Sequence, residues 1–312
     1  TPYTSSAASD VYKRQFLAHE IQSKNYKIFY YEPENLSVIN SKVVADGHFV
    51  KFNYRKKKFF KLFKKHKLNL VNCKFILIRQ DPPFNLKYIS TTYILETIKD
   101  KVKIINDPSS IRNISEKLYA IKYLKYMPPT IFSQNIDEIK KFFKKNEKVI
   151  LKPIHSFGGN DIHLLSKFDL KFIKKFIKKH EYIICQKYLP KINKGDKRVF
   201  LINGKVMGAI SRVPKKGSFL SNMSKGAKPI NTQLTNIEKK ISKLVAKNLR
   251  KENIFFAGID FIDQKLNGDI NVTSPTGLKT FYDLSNINLA KTFWKELKAC
   301  LLYTSDAADD VY

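Results

Sequence analysis

The residues that could do chemistry crowd into Phe256 to Thr276, FAGIDFIDQKLNGDINVTSPT. Two β-rich runs flank Asn267-Gly268, and period-2 alternation puts Asp260, Asp269 and Asn271 on one face of the expected hairpin. Hard oxygen donors on a rigid strand pair suit Mg²⁺ when a substrate's phosphates complete its shell. The plainer alternative is a surface hairpin that carries acids by chance. If Asn267-Gly268 makes a two-residue turn, Leu266 pairs with Asp269 and Asp260 faces Pro275. Asp260 then lies about 13 Å along the strand from the position facing Asn271, at roughly 3.3 Å per residue. No shared ion spans that, so joint action requires a longer loop with Asp260 close to opposite Asn271.

Other candidates come earlier. Val149 to Lys152 reads as a strand stopped by Pro153, and the loop through Gly158-Gly159 leads into a second strand at Ile162 to Leu165. A glycine pair there lets backbone N–H groups approach phosphate oxygens, and Lys152 adds a point charge. A Gly-Gly hairpin with no ligand would look the same. Cys73 to Arg79 reads as a buried strand running into Gln80-Asp81-Pro82-Pro83-Phe84, and open α/β sheets bind ligands at such carboxyl ends. A simple strand-ending turn is the alternative.

The elements that must position these groups follow in order. A helix beginning at Phe16 runs to Asn25, a strand covers Tyr26 to Tyr31, and a short β region reaches Val44. The lysine-dense stretch from Phe49 to Leu70 carries apolar residues at helical spacing and is expected to be an amphipathic helix. A helix near Thr91 to Ile98 and a strand at Val102 to Ile105 complete an α/β unit. Ser115 is a plausible N-cap for the helix that follows. Helices near Asp137 to Lys145 and Lys171 to Lys179 alternate with strands, including Tyr182 to Gln186. Asn203-Gly204 should turn the strand Lys197 to Ile202 back through Val206 to Arg212. The irregular segment Val213 to Pro229 has the length of a lid or binding loop. Helices are expected at Thr235 to Lys251 and Ser285 to Leu297.

Composition narrows the function. A chain of 312 residues with 43% hydrophobic content supports two or three subdomains with real cores. The net charge of +31 raises nucleic-acid binding, but only seven of the basic residues are arginines, the residue that base readers and bidentate phosphate clamps favour. Lysine on solvated faces accounts for the excess, and no nucleic-acid partner is expected. Cys73, Cys185 and Cys300 are scattered, without metal-ligand spacing, and fit a reducing cytoplasm. No run reaches the length of a membrane span, and no membrane partner is expected. Tyr3 to Tyr12, YTSSAASDVY, nearly repeats at Tyr303 to Tyr312, YTSDAADDVY, so residues 1–15 and 301–312 are expected to be flanking sequence outside the fold.

Taken together, five stretches resemble bacterial glutathione synthetases of the ATP-grasp superfamily: Arg79 to Phe84; Glu116-Lys117-Leu118; Leu151-Lys152-Pro153 with Gly158-Gly159; Gly195-Asp196-Lys197-Arg198; and Gly258-Ile259-Asp260 with Ile270 to Thr276. They occur in family order over about residues 16–298. The resemblance implies α/β and α+β architecture: an N-terminal α/β substrate domain over 16–115, then a two-lobed ATP-grasp fold with lobes at 116–190 and 191–300, the second carrying the metal hairpin and a lid at Pro214 to Lys228. It implies a cytoplasmic, homo-oligomeric ligase that joins γ-glutamylcysteine and glycine through an acyl phosphate, using ATP and Mg²⁺, with Mn²⁺ the alternative ion. Lys117, Lys152, Gly158 and Gly159 match phosphate contacts; Gln186, Tyr188 and Leu189 match the segment meeting adenine; and Asp196 matches the acid on ribose. Asp260, Asp269 and Asn271 match metal ligands, and Arg198 and Arg212 match arginines of the reaction centre. Arg79, Asp81, Arg212 and Asn222 are the expected substrate contacts.

Several positions depart from the family's pattern. Ser156 replaces a glycine, Asp269 a glutamate and Gln80 a lysine, and the lid lacks a glycine-rich, arginine-bearing run. The family's first strand is expected to be missing before Phe16, leaving a gap or unpaired edge and lower stability. Another ATP-grasp dipeptide-type ligase, a basic nucleic-acid-binding protein and an inactive relative are the competing readings.

Overall fold

The computed structural model describes residues 16–53 and 60–309, with the side chains of 301–309 outside the description. The expected flanking stretch 1–15 lies outside the described residues, as do 54–59 and 310–312.

After the helix Phe16–Gln22 come β1 (Ile28–Tyr30), β2 (Leu36–Ile39), β3 (Lys42–Phe52) and β4 (Phe60–Asn69), all antiparallel. The long β3 carries β2 and β1 in succession along one edge and β4 along the other. Strands β3 and β4 therefore replace the amphipathic helix expected over Phe49 to Leu70. Seven of the ten residues of β4 are exposed, so the edge strand shows no period-2 apolar signal. Its place is set by tertiary pairing instead: Val50 lies across from Leu62, His48 Nδ1 is 2.8 Å from Phe63 O, and Phe49 meets the His66 ring edge-on at 5.4 Å.

A parallel pair follows, β5 (Phe75–Leu77) and β6 (Lys103–Ile105), joined through the helix Leu86–Glu96. Asn85 Oδ1 caps that helix by accepting from Tyr88 N, and Asp107 likewise caps the helix Pro108–Asn113 through Ser110 N. The next helical stretch, Leu118–Tyr126, is a 3₁₀ helix capped at Lys117 with no side-chain bond, so Ser115 is not the cap that its type suggested.

Two antiparallel sheets form the rest. The four-stranded sheet comprises β7 (Thr130–Ser133), β8 (Val149–Pro153), β9 (His163–Leu165) and β10 (Ile183–Lys187), in the order β7-β10-β8-β9. Ile139, Phe142 and Phe143 of the helix Ile136–Lys145 and Ile173 and Phe176 of the helix Leu170–His180 pack on Val149, Leu151, Ile183 and Cys185. These apolar residues form one stripe per helix, with lysines opposite, as amphipathic helices on a sheet require.

The five-stranded sheet contains β11 (Asp196–Ile202), β12 (Lys205–Val213), β13 (Lys228–Asn231), β14 (Phe256–Ile262) and β15 (Lys265–Asn271), in the order β13-β12-β11-β14-β15. The edge strand β13 was not legible in the sequence. Asn203-Gly204 makes the expected turn, both residues at positive φ and Ile202 paired with Lys205. The helix Asn236–Lys251 starts from a capping box of Thr235 and Glu238. The helices Leu278–Ser285 and Leu289–Asp309 close the fold, so the last helix starts later than expected and continues past residue 301.

The β14–β15 connection corrects the expected turn. Asp263-Gln264 is the tight turn, with φ of 48° and 63°, and Ile262 pairs with Lys265. Phe261 then faces Leu266 and Ile259 faces Ile270, all four in the core. A turn at Asn267-Gly268 would set Leu266 against Asp269 and strand these apolar side chains, so hydrophobic register overrides the turn signal. The surplus residues form a bulge, with Asn267, Gly268 and Asp269 lying across from Asp260. Asn271 pairs with Gly258, two residues from Asp260.

Asn106, just after β6, ties the N-terminal part to this hairpin. Its Nδ2 donates to Phe256 O at 2.8 Å and Val272 O at 2.6 Å, while Oδ1 accepts from Phe255 N and Phe256 N at 2.9 and 2.8 Å. Asn106→Ala leaves four buried backbone groups without that partner. Urea unfolding is expected to show a loss of about 3 kcal/mol or more; a loss below about 1 kcal/mol would mean that water replaces the amide.

Candidate active site

The two antiparallel sheets face each other across an open cleft lined from both sides by charged and polar residues. β8 brings Lys152, β10 runs into Gln186, Tyr188 and Leu189, and the loop after β8 contributes Gly158 and Gly159. From the other side β11 brings Asp196 and Arg198, β12 Arg212, β14 Asp260, and β15 Asp269 and Asn271; Lys117 and Asn222 complete the set. Of the residues singled out in the sequence, Arg79 and Asp81 are not among the cleft's lining residues. Arg79 instead donates to Pro275 O at 2.9 Å and lies over the Phe256 ring of β14.

Strand register builds the electrostatic centre. Asp196 pairs with Arg212 across β11–β12, and Arg198 with Asp260 across β11–β14. Arg212 grips Asp196 with two N–H groups, Nε at 2.8 Å, and its terminal nitrogen also reaches Asp260 Oδ2 at 3.0 Å. Arg198 holds both oxygens of Asp260, the second at 2.9 Å. All four side chains are buried, and their formal charges sum to zero.

Burial opposes ionisation of Asp260, but Arg198 and Arg212 outweigh it and hold its pKa at about 2. Burial also works against the Arg212 charge, which Asp196 and Asp260 more than restore, leaving its pKa raised. Ser221 Oγ donates to Asp196 Oδ2 at 2.6 Å, so the segment between β12 and β13 joins the network.

The lysines are held as well. Lys152 Nζ donates to Asn267 O at 3.1 Å and Asn267 Oδ1 at 3.0 Å, and burial lowers its pKa. Lys117 Nζ binds the carbonyls of Ile154, at 3.3 Å, and Ser156, which fastens the loop before Gly158. Gly158 and Gly159 have φ of 65° and 77°, and a Cβ on Gly159 would come within 2.5 Å of Asn222 Oδ1. Lys225 Nζ reaches Asn160 Oδ1 at 2.9 Å. Gly159 thus lets the segment that carries Asn222 lie directly on the loop after β8.

The cation site can be judged from its donors. Among the described residues no three His, Cys, Asp or Glu side chains gather around one point. Both oxygens of Asp260 are engaged by arginines. Asp269 receives a single long amide contact from Asn267 at 3.3 Å, and Asn271 directs its Nδ2 at Gly258 O, keeping its amide oxygen for another partner. Asp269 with Asn271 therefore fits a hard cation whose shell is completed by phosphate oxygens, and Asp260 fits less directly.

Glu116 is the lining residue that sequence reasoning named only as part of a motif. Its carboxylate accepts from Thr273 Oγ1 at 2.7 Å, its main-chain O accepts from Ile270 N at 2.8 Å, and burial raises its pKa. Its place beside Lys117 was the available signal. Asn267 was read as a turn and Ser221 as anonymous loop.

Two family descriptions match the chain: the prokaryotic glutathione synthetase ATP-grasp domain over residues 116–286, and the corresponding N-terminal domain over 14–112. The glutathione synthetase of Bradyrhizobium diazoefficiens is 35% identical over 283 residues, 89% of this chain and 90% of that protein. That of Rhodopseudomonas palustris is 34% identical over 284 residues, 90% of each. The crystal structure of D-alanyl-alanine synthetase A from Vibrio cholerae has the same fold, with a TM-score of 0.62 over 96% of both chains at 12% identity.

Because the folded pKa of Asp260 lies below the ordinary 3.8, the stability it contributes is full above about pH 4 and is lost as pH falls towards 2. Asp260→Asn is expected to cost about 3–5 kcal/mol at pH 7, since it leaves buried guanidinium groups uncompensated. Denaturant unfolding from pH 7 to 2.5 should show the gap to wild type narrowing only below about pH 4; a constant gap would contradict the network's charge state.

Proposed function

The chain belongs to the prokaryotic glutathione synthetase family and is an ATP-dependent ligase that forms glutathione, and from that premise we propose how its own residues carry the reaction. The observation that supports the proposal best is the convergence of two lysines, two arginines and the Asp269–Asn271 pair on one cleft between the sheets. A carboxylate attacking a polyphosphate brings anion to anion, so the protein's work is positioning and charge neutralisation.

In this reading ATP lies between the sheets, with its base against Gln186 to Leu189 and its phosphates over Gly158-Gly159. Lys117 and Lys152 offset phosphate charge from two directions. Asp269 and Asn271 would hold Mg²⁺, which when bound supplies further neutralisation at the transferring phosphoryl group.

The cysteinyl carboxylate of γ-glutamylcysteine takes the γ-phosphoryl group, forming a C–O–P acyl phosphate and releasing ADP. The amine of glycine then adds to the acyl carbon, forming the C–N bond of a tetrahedral intermediate that loses an N–H proton to solvent and expels phosphate to leave the amide. Arg212 stabilises the negative charge on the acyl phosphate and the tetrahedral intermediate, held for that task by Asp196 and Asp260. We assign Asp196 to this holding role and not to the ribose, because its carboxylate already accepts from Arg212 and Ser221. The lid at Pro214 to Lys228 excludes water from the acyl phosphate. Arg79 acts from behind, by fixing the Pro275 carbonyl at the end of the metal hairpin.

ADP release is measured with Mg²⁺-ATP, γ-glutamylcysteine and glycine, omitting each in turn. Release should require both co-substrates and yield glutathione; release with a different acid–amine pair alone would redirect the substrate assignment. Arg212→Lys keeps a charge but loses the two-pronged grip, and kcat is expected to fall by about 10²-fold or more with a smaller change in KM for ATP. An unchanged kcat would remove Arg212 from the reaction centre.

A further inference from the structure

One side chain in the cleft contacts both sheets and has been given no role in the reaction above. Asn267 sits in the β15 bulge, across from Asp260. Its main-chain oxygen and its Oδ1 both accept from Lys152 Nζ, at 3.1 and 3.0 Å. The main-chain oxygen also takes Gln186 Nε2 at 3.4 Å, and its Nδ2 donates to Asp269 Oδ2 at 3.3 Å. Lys152 and Gln186 belong to the four-stranded sheet, while Asp269 belongs to the five-stranded one.

We propose that Asn267 is a positioning residue for the ligase reaction, which aims the Lys152 ammonium and the Asp269 carboxylate at one shared polyphosphate. This rests on the reading of the cleft as the ATP site. An ammonium has three N–H donors. Two are spent on Asn267 oxygens, which leaves one directed donor for a phosphate. A lysine stem would otherwise sample many rotamers, and restricting them before the nucleotide arrives lowers the cost of binding. The two carbonyl dipoles also favour a charge that burial disfavours at this position. On its other side the amide N–H fixes one oxygen of Asp269, so the carboxylate that would face a cation has a set orientation.

The bulge gives Asn267 a firm base. Gly268 has a φ of +93°, a backbone conformation that residues with a side chain rarely adopt, so a substitution there is strained. The flanking pairs Phe261 with Leu266 and Ile259 with Ile270 pin both ends in the core. The Asn267 side chain can therefore be changed while these anchors stay in place.

The test is a double-mutant cycle with Asn267→Leu and Lys152→Met, read as the calorimetric Kd of a non-hydrolysable ATP analogue with Mg²⁺. Asn267→Leu alone is expected to weaken binding about tenfold or more, as loss of a hydrogen bond to a charged group does. In the Lys152→Met background the same change should cost no more than about threefold, because only its weaker hold on Asp269 is left to lose. Equal losses in both backgrounds, or no loss in either, would overturn the proposal. Should Asn267→Leu fail to fold, Asn267→Ala removes the same oxygen without bulk and the cycle is read with it. A wild-type protein that does not bind the analogue would instead overturn the ATP-site reading, and the proposal with it.

Discussion

Everything in this cleft depends on four charges buried on three neighbouring strands: Asp196 and Arg198 on β11, Arg212 on β12 and Asp260 on β14. A buried ion pair is poor evidence for stability, because desolvation offsets most of its attraction. It is a strong constraint on geometry, because each member that slips leaves an uncompensated charge in a medium that cannot solvate it. Register satisfies the constraint, since Asp196 and Arg212 are direct cross-strand partners, as are Arg198 and Asp260. A slip of one residue would turn these side chains to the opposite face. The network thus ties the position of Arg212, the arginine proposed for the reaction centre, to the hydrogen-bond ladder of the sheet.

The loops are organised around that centre. Ser221 ties the segment between β12 and β13 to Asp196, Lys225 ties it to the loop after β8, and Lys117 holds that loop by its carbonyls. On the far side, Asn106 fixes the separation of β14 and β15 beside Asn271, and Arg79 holds Pro275. The N-terminal part therefore supports the hairpin that carries the oxygen donors, in addition to whatever substrate contacts its loops supply. The lysine excess has no part in this: the helices Ile136–Lys145 and Leu170–His180 turn most of their lysines to solvent.

Much of the site was legible in the sequence because its members are types that rarely assemble by accident, such as a lysine ending a buried strand before Gly-Gly, or an alternating Asp-Ile-Asn. The fold was legible where local signals agreed with packing, as at Asn203-Gly204 and Thr235. It was not legible where packing overrode them. Asn267-Gly268 has strong turn chemistry, yet Leu266 and Ile270 gain more by facing Phe261 and Ile259. The run from Phe60 to Asn69 lacks a period because its strand lies at an exposed edge. The grip of Arg212 on Asp196 was hidden for a different reason: it joins residues 16 apart through a register that exists only once the hairpin has formed.

Whether the charge network holds Arg212 for the reaction is tested most directly by Asp196→Asn. The network reading gives a fall in kcat of about 10²-fold, the scale of a misplaced catalytic group, with the Kd for ATP within about twofold of wild type. An unchanged kcat with a Kd weakened about tenfold or more would place Asp196 on the nucleotide and contradict the account.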